Sequence, residues 1–276
     1  MVSPIMIFTE SVENMNENLS GSRSRCSPLF SFNSYFVTGT STPFIFTDLV
    51  EGDICDDQLL LNLFKKYHLN GIFHFAAESH VDRSIIYPME FVLDNVVGTV
   101  NLLDFARSLK NLEKFVYFST DEIFGNAPEG VSYKEYDRYN STNPYSASKA
   151  SAEEFCVAYE NTYKLPIIIT HTMNVFGERQ HPEKFIPMCI KKIRDGESVT
   201  IHSDKTKQIP GSRHYIHAED VAEAIYFILT KKLQNEIDYG GAKCPKFNIV
   251  GSEAVSYTHL RAHETLRYLV CRLLLE

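Results

Sequence analysis

The chain has 276 residues with 27 basic and 35 acidic side chains, a formal net charge of −8, so an anionic nucleic-acid or membrane surface is not the expected partner. This length suits one α/β domain or a domain with a small lobe. Cys26, Cys55, Cys156, Cys189, Cys244 and Cys271 form no Cys-x-x-Cys pair, and no apolar run reaches membrane-spanning length. The expectation is therefore a cytoplasmic protein with free thiols, no disulfide frame and no zinc site.

Residues 1–34 read as irregular chain, because Glu10 to Ser34 is rich in Asn, Ser and Glu with little periodicity. Tyr35-Phe-Val-Thr-Gly39 has strand character, but Thr and Pro follow where a dinucleotide turn needs further glycines. The path to Gly52 is also far shorter than the ~30 residues of a βαβ unit. Two readings stand, a degenerate fingerprint with a deletion or an N-terminus unrelated to the rest of the chain, and the second is preferred.

From Gly52 the pattern becomes regular. Gly52-Asp53-Ile54 leads to a helix from Gln58 to Tyr67, and Gly71-Ile-Phe-His-Phe-Ala-Ala77 is an extended run. The polar stretch Glu78-Ser-His80-Val-Asp82-Arg83-Ser84 follows, where ligands collect in doubly wound sheets. His74, His80 and Asp82 do not make a tetrahedral set, so no metal is expected. Glu90 to Leu109 presents the broad apolar side of a helix.

Lys114-Phe-Val-Tyr-Phe-Ser-Thr120 is an apolar strand that runs directly into Asp121-Glu122-Ile-Phe-Gly125, delivering hydroxyls and carboxylates to its carboxyl end. Asn143-Pro144-Tyr145-Ser-Ala-Ser-Lys149 then opens a helix to Tyr163 with Tyr145 and Lys149 on one face. An ammonium beside a phenol lowers the phenol pKa, which suits oxidation of a hydroxyl. Alone, a Tyr-x-x-x-Lys is common on helix surfaces, and a strand ending in Ser-Thr-Asp-Glu reads equally as a turn with a cap. In this order, across one loop, the two make a stronger signal.

With these motifs the chain, over about Gly52 to Gly251, resembles the extended short-chain dehydrogenase/reductase family, its NAD-dependent epimerase/dehydratase members that act on nucleotide sugars, and among them the 4,6-dehydratases. The resemblance implies a Rossmann-like parallel sheet with a truncated C-terminal substrate lobe, NAD as cofactor, a nucleotide-sugar substrate, and a homodimer built on the Glu90 and Pro144 helices. It implies catalytic roles for Thr120, Asp121, Glu122, Tyr145 and Lys149. Cofactor contacts are implied for Asp53, Ile54, Phe75, Ala76, Ala77, Asn95 and Ser119, together with Tyr145 and Lys149. Substrate contacts are implied for Ser79, His80, Asn174, Glu183, Lys184 and Arg213. The activity implied is dehydration of a nucleotide hexose to its 4-keto-6-deoxy form, with 4-epimerase, decarboxylase or an inactive binding module as alternatives.

Beyond that motif, Pro166 to Thr170 reads as a buried strand ending in His171-Thr-Met-Asn174-Val-Phe-Gly177, where His171 stands in place of the family's Arg and Phe176 in place of its Tyr. A His there would be largely neutral at pH 7. Pro182 opens a further helix, Ser198 to His202 a short strand, Val221 to Lys231 a helix, and Lys246 to Gly251 a last sheet strand. The implied organisation is an NAD-binding domain over 35–175, part of a substrate lobe over 176–212, and a return to the sheet over 213–251. Residues 252–276 match no part of the family pattern and read as a foreign tail, with a helical tail on Leu266, Leu269, Leu273 and Leu274 as the alternative. A chain with both ends so altered is expected to lack turnover.

Overall fold

The computed structural model describes residues 5–8, 35–39, 46–251 apart from 68, 129, 179, 200–202, 204–205, 207, 209 and 231–243, and 254–256. The expectations for Glu10 to Ser34, most of Ser198 to His202 and the leucines of the C-terminal tail fall outside the described residues. The chain forms two compact units, one of residues 1–171 and 227–248, the other of residues 172–226 and 249–276.

The first unit is an α/β sheet. Among the described residues it has seven strands in the order β3-β2-β1-β4-β5-β6-β9: β1 (Ile5–Phe8), β2 (Tyr35–Gly39), β3 (Phe46–Glu51), β4 (Gly71–His74), β5 (Lys114–Thr120), β6 (Ile167–Thr172) and β9 (Lys246–Ile249). β4 and β5 run parallel, with Ile72 opposite Phe115 and His74 opposite Tyr117. Five of the seven side chains of β5 are buried, as a strand covered on both faces requires. The β1 region differs from the expected irregular start: Ile5–Phe8 is a strand inside the sheet, parallel to β2 and antiparallel to β4. β2 and β3 pair antiparallel, which their short connection dictates, since a parallel return needs a crossover of a dozen residues or more.

The helices are placed by their caps. Asp56 accepts from Gln58 N and Leu59 N, both at 3.0 Å, and starts α1 (Asp57–Lys66), which closes on Lys65 and Lys66. After β4 come α2 (Val81–Ile86), α3 (Pro88–Phe91), a π-helical turn (Val92–Val97) and α4 (Gly98–Ala106). The expected single helix from Glu90 is therefore continuous but irregular, because the π turn carries Asn95 inward to 1 % exposure. β5 ends in a 3-10 turn (Asp121–Phe124), capped by Thr120. α5 (Pro144–Tyr163) begins with a capping box, Asn143 Oδ1 accepting from Ser146 N at 2.8 Å and Ser146 Oγ from Asn143 N at 3.3 Å. Leu60, Leu63, Ile72, Leu102, Leu103, Phe115, Ala152 and Ile167 form the core between these helices and the sheet.

In the second unit β7 (Asn174–Phe176) pairs parallel with β8 (Ser212–His217), and β10 (Ala254–Ser256) pairs antiparallel with β8. It also holds α6 (Phe185–Arg194) and most of α7 (Ala218–Thr230). No helix among the described residues is long and apolar enough to cross a membrane.

Candidate active site

Polar groups meet where β4 and β5 end and α5 begins. Thr120 is buried at the end of β5, and its Oγ1 accepts from Glu122 N and donates to Asp121 Oδ1, both at 3.3 Å. The 3-10 turn then carries Asp121 and Glu122 side by side. Glu122 Oε2 accepts from Asn143 Nδ2 at 3.1 Å, so the residue that caps α5 also holds the carboxylate in front of Tyr145. Gly125 closes the turn at φ +76°, ψ −167°, a region open almost only to glycine, and a Cβ there would collide with the Asn140 carbonyl oxygen. Gly125→Ala should cost about 1–3 kcal/mol, read as a lower denaturation midpoint at unchanged slope.

Tyr145 lies edge-on to Phe91, with ring centroids 6.3 Å apart. Desolvation pushes its phenol well above the ordinary range, the Glu122 charge adds to this, and a hydrogen bond with Thr120 works the other way. The expected lowering by Lys149 is not what this arrangement gives. The Lys149 ammonium donates to Phe118 O at 2.6 Å and lies 4.3 Å from the centre of the Tyr117 ring. Helical spacing puts Tyr145 and Lys149 on one face, but the long lysine stem is free to follow the nearest strong acceptor.

Burial brings the Lys149 ammonium down from 10.5 to about 8, partly offset by Cys156 and Glu153. Its folded value lies below its unfolded one, so its desolvation cost is fully present below pH 8 and disappears as pH rises towards 10.5. In denaturation measured across this window, Lys149→Met should remove that rise in stability. Below pH 8 it should stabilise the fold by up to roughly 3 kcal/mol, less the lost contacts to Phe118 and Tyr117.

The expected cofactor contacts divide. Phe75 stacks on Phe118 at 3.8 Å, Ala76 is buried and Ala77 half-buried beside it, and Ser119 is 6 % exposed with its Oγ lacking a hydrogen-bond partner among the described residues. Asp53 accepts from Cys55 N at 2.8 Å, and Ile54 packs against Gly98. Asn95 braces the protein internally. Its Oδ1 accepts from Glu78 N at 2.7 Å, while its Nδ2 donates to Glu78 O at 3.0 Å and Ser148 Oγ at 2.8 Å, so the amide is spent inside the protein. Ser148 Oγ in turn donates to Tyr145 O at 2.8 Å. His74 is likewise internal: its Nε2 meets Thr99 Oγ1 at 2.8 Å, and burial takes the ring down to about 3, so it is neutral.

Of the expected substrate residues, Ser79 is exposed, and His80 stands at the N-cap position of α2 without a side-chain capping bond, its buried Nδ1 having no hydrogen-bond partner among the described residues. The others belong to the second unit. There Asn174 Nδ2 donates to His214 O at 3.2 Å, and Glu183 is exposed with its carboxylate 3.7 Å from His181 Nδ1. Lys184 stands at the N-cap position of α6 without a side-chain capping bond, and Arg213 is exposed, donating to Ser212 O at 3.0 Å.

His171 has no place among exposed binding groups. It is buried, its Nε2 donates to Glu153 Oε1 at 3.0 Å, and its Nδ1 faces Asn248 Oδ1 at 2.9 Å. The Asn248 amide is turned so that Nδ2 donates to Tyr133 O at 3.2 Å, leaving only Oδ1 for the imidazole. Both ring nitrogens therefore face side-chain oxygen atoms. Sequence reasoning assigns no site role to Asn143 or Glu153. The Asn-Pro start of α5 is a usable sign of the first, and the spacing Tyr145, Lys149, Glu153 along one helix face of the second.

A family model described as "NAD dependent epimerase/dehydratase family" matches residues 17–239. The chain belongs to this family. The match begins ahead of Gly52, where the motifs legible residue by residue start. A relative named dTDP-glucose 4,6-dehydratase from Haemophilus influenzae is 38 % identical over 206 residues, covering 71 % of this chain and 60 % of the relative. The dTDP-D-glucose 4,6-dehydratase of Homo sapiens is 38 % identical over 191 residues, 68 % of this chain and 52 % of that protein. The crystal structure of DesIV, a dTDP-glucose 4,6-dehydratase from Streptomyces venezuelae with NAD and TYD bound, superposes with a TM-score of 0.67 at 32 % identity over 80 % of this chain and 63 % of that one. The chain thus spans about half to three fifths of the length of these curated relatives.

Proposed function

We propose that this family member carries the catalytic core of an NAD-dependent nucleotide-hexose 4,6-dehydratase. The observation that carries this reading is the carboxylate pair Asp121 and Glu122, fixed in one turn by Thr120 and Asn143 beside Tyr145. Oxidation and epimerisation at C4 need the tyrosine and lysine; only elimination of water needs an acid and a base as well.

The residues present fit the nicotinamide end of the cofactor. Ser119 Oγ, near the end of β5, and His80 Nδ1, in the segment after β4, are buried polar atoms without hydrogen-bond partners among the described residues, and ask for a hydrogen-bonding ligand. NAD, when bound, would take a hydride from the sugar C4 and return one to C6, so the cycle needs no outside reductant. Tyr145, once its phenol has released its own proton to solvent, accepts the C4 hydroxyl proton, with Thr120 hydrogen-bonded to the phenol oxygen. Glu122 removes the C5 proton made acidic by the new ketone, and Asp121 protonates the 6-hydroxyl, which departs as water. Two carboxyl groups with opposite protonation needs are thereby served by adjacent residues.

The reading extends to a homodimer and to the cytoplasm. Ile85, Ile86 and Met89, each more than 60 % exposed on α2 and α3, and Phe155 on α5 support a second copy covering these helices. The free Cys55, Cys156, Cys189 and Cys244 support a reducing compartment. The test of function is incubation with NAD and dTDP- or UDP-glucose, for this chain and for a chimaera carrying the Haemophilus influenzae relative's segments at 1–51 and 252–276. A 4-keto-6-deoxy sugar by NMR is expected from the chimaera. A C4 epimer would replace the reading with an epimerase, and neither product from either protein would leave a binding module.

A further inference from the structure

Glu153 is wholly buried one turn along α5 from Lys149, and groups from three other segments converge on its carboxylate. His171 of β6 donates to both oxygens, at 3.0 and 3.1 Å, and Lys246 of β9 donates to Oε1 at 2.8 Å. Tyr139, from the loop before α5, also donates to Oε1 and accepts from Lys246 Nζ. Asn248 extends the set, its N donating to Glu135 Oε1 and its Nδ2 to Tyr133 O, both at 3.2 Å. Burial alone would raise the Glu153 carboxyl, but the hydrogen bond from His171 and the charge of Lys246 outweigh it and hold the group ionised.

This assembly does not touch the reacting groups. It supports Phe124, the last residue of the turn that carries Asp121 and Glu122. The Phe124 ring is 3 % exposed and packs edge-on to His171 at 5.0 Å and to Tyr139 at 5.8 Å, and lies stacked on Tyr133 at 5.6 Å. The same loop bonds the turn directly through Asn140 N to Ile123 O at 2.8 Å. Glu122 therefore has two supports, Asn143 in front and the aromatic seat of Phe124 behind. Tyr145 is held by other groups, its backbone by the Ser148–Asn95 brace, its ring by Phe91 and its phenol by Thr120 at the head of the turn.

We infer that Glu153 is a positioning residue for the elimination half of the reaction: with His171, Lys246 and Tyr139 it seats Phe124 and so fixes Asp121 and Glu122, while leaving the hydride step to Tyr145. The inference rests on the dehydratase reading above. A shift of about 1 Å in a reacting group costs on the order of 100-fold in rate, so loosening the seat should be felt at one step and not the other.

The test is Glu153→Gln, which keeps size but removes the charge that gathers His171 and Lys246. Two rates are followed in the form that turns over: appearance of NADH absorbance in a single turnover, and release of the 4-keto-6-deoxy sugar. The expected result is ketone release slowed about 100-fold with NADH formation within about threefold, so that reduced cofactor accumulates. Equal slowing of both steps, or of neither, overturns the inference while the parent's ketone formation keeps the functional reading. No ketone from the unsubstituted parent sinks the functional reading itself, and the inference with it. Should Glu153→Gln not fold, Tyr139→Phe removes a single hydroxyl from the seat. The same split, smaller in size, supports the inference, and its absence overturns it.

Discussion

Glu122→Gln should fold normally and turn the protein into a device that stops half-way. The amide keeps an oxygen for the bond from Asn143 Nδ2, so the turn and the start of α5 stay in place. On the proposed dehydratase reading what disappears is the base for the C5 proton, and positioned general bases are worth about 10²–10⁴-fold. Loss of its charge also removes one of the two main effects that push the Tyr145 phenol upward, after desolvation. The hydride step should then be retained, with its pH midpoint displaced to lower pH. Adding a nucleotide hexose should give bound NADH at near-normal amplitude and almost no ketone. A variant that forms neither NADH nor ketone while its denaturation midpoint is unchanged would remove the separate role given to Glu122.

Tyr145→Phe should fail one step earlier. The ring remains for the edge contact with Phe91, so packing changes little. The phenol oxygen next to Thr120 is lost, and with it the acceptor for the C4 hydroxyl proton. NADH formation should fall by about 10²–10⁴-fold and ketone release with it. Rapid NADH formation by this variant would mean that another group takes the proton, and Lys149, brought down to about 8, would be the next candidate.

Much of the site was legible because its parts are local. An apolar β5 running into Thr120, Asp121 and Glu122, and the Asn143-Pro144 start of α5, are patterns within a few residues, and both elements fall where periodicity and capping put them. The direction taken by Lys149 was not legible, since helical spacing fixes which face a side chain leaves from and not which acceptor its end reaches. The π turn was hidden because Val92, Val96 and Val100 satisfy an ordinary amphipathic pattern. The partners of Glu153 lie 14, 18 and 93 positions away and meet only through the sheet. β1 was missed because four apolar residues before a long polar stretch are too few to show a period.

The π turn leaves α3 and α4 with one residue more than a regular helix would use between the same endpoints. Loss of a single codon anywhere from Val92 to Val97 would allow i→i+4 bonding throughout and give a smoother, intrinsically better helix. It would also swing the residues on one side by roughly 100° about the axis, taking Asn95 away from Glu78 and Ser148. In such a lineage the helix would gain regularity while the loop after β4 and the backbone of Tyr145 lost their common tie, so any selection for turnover here would act as selection against a perfect helix.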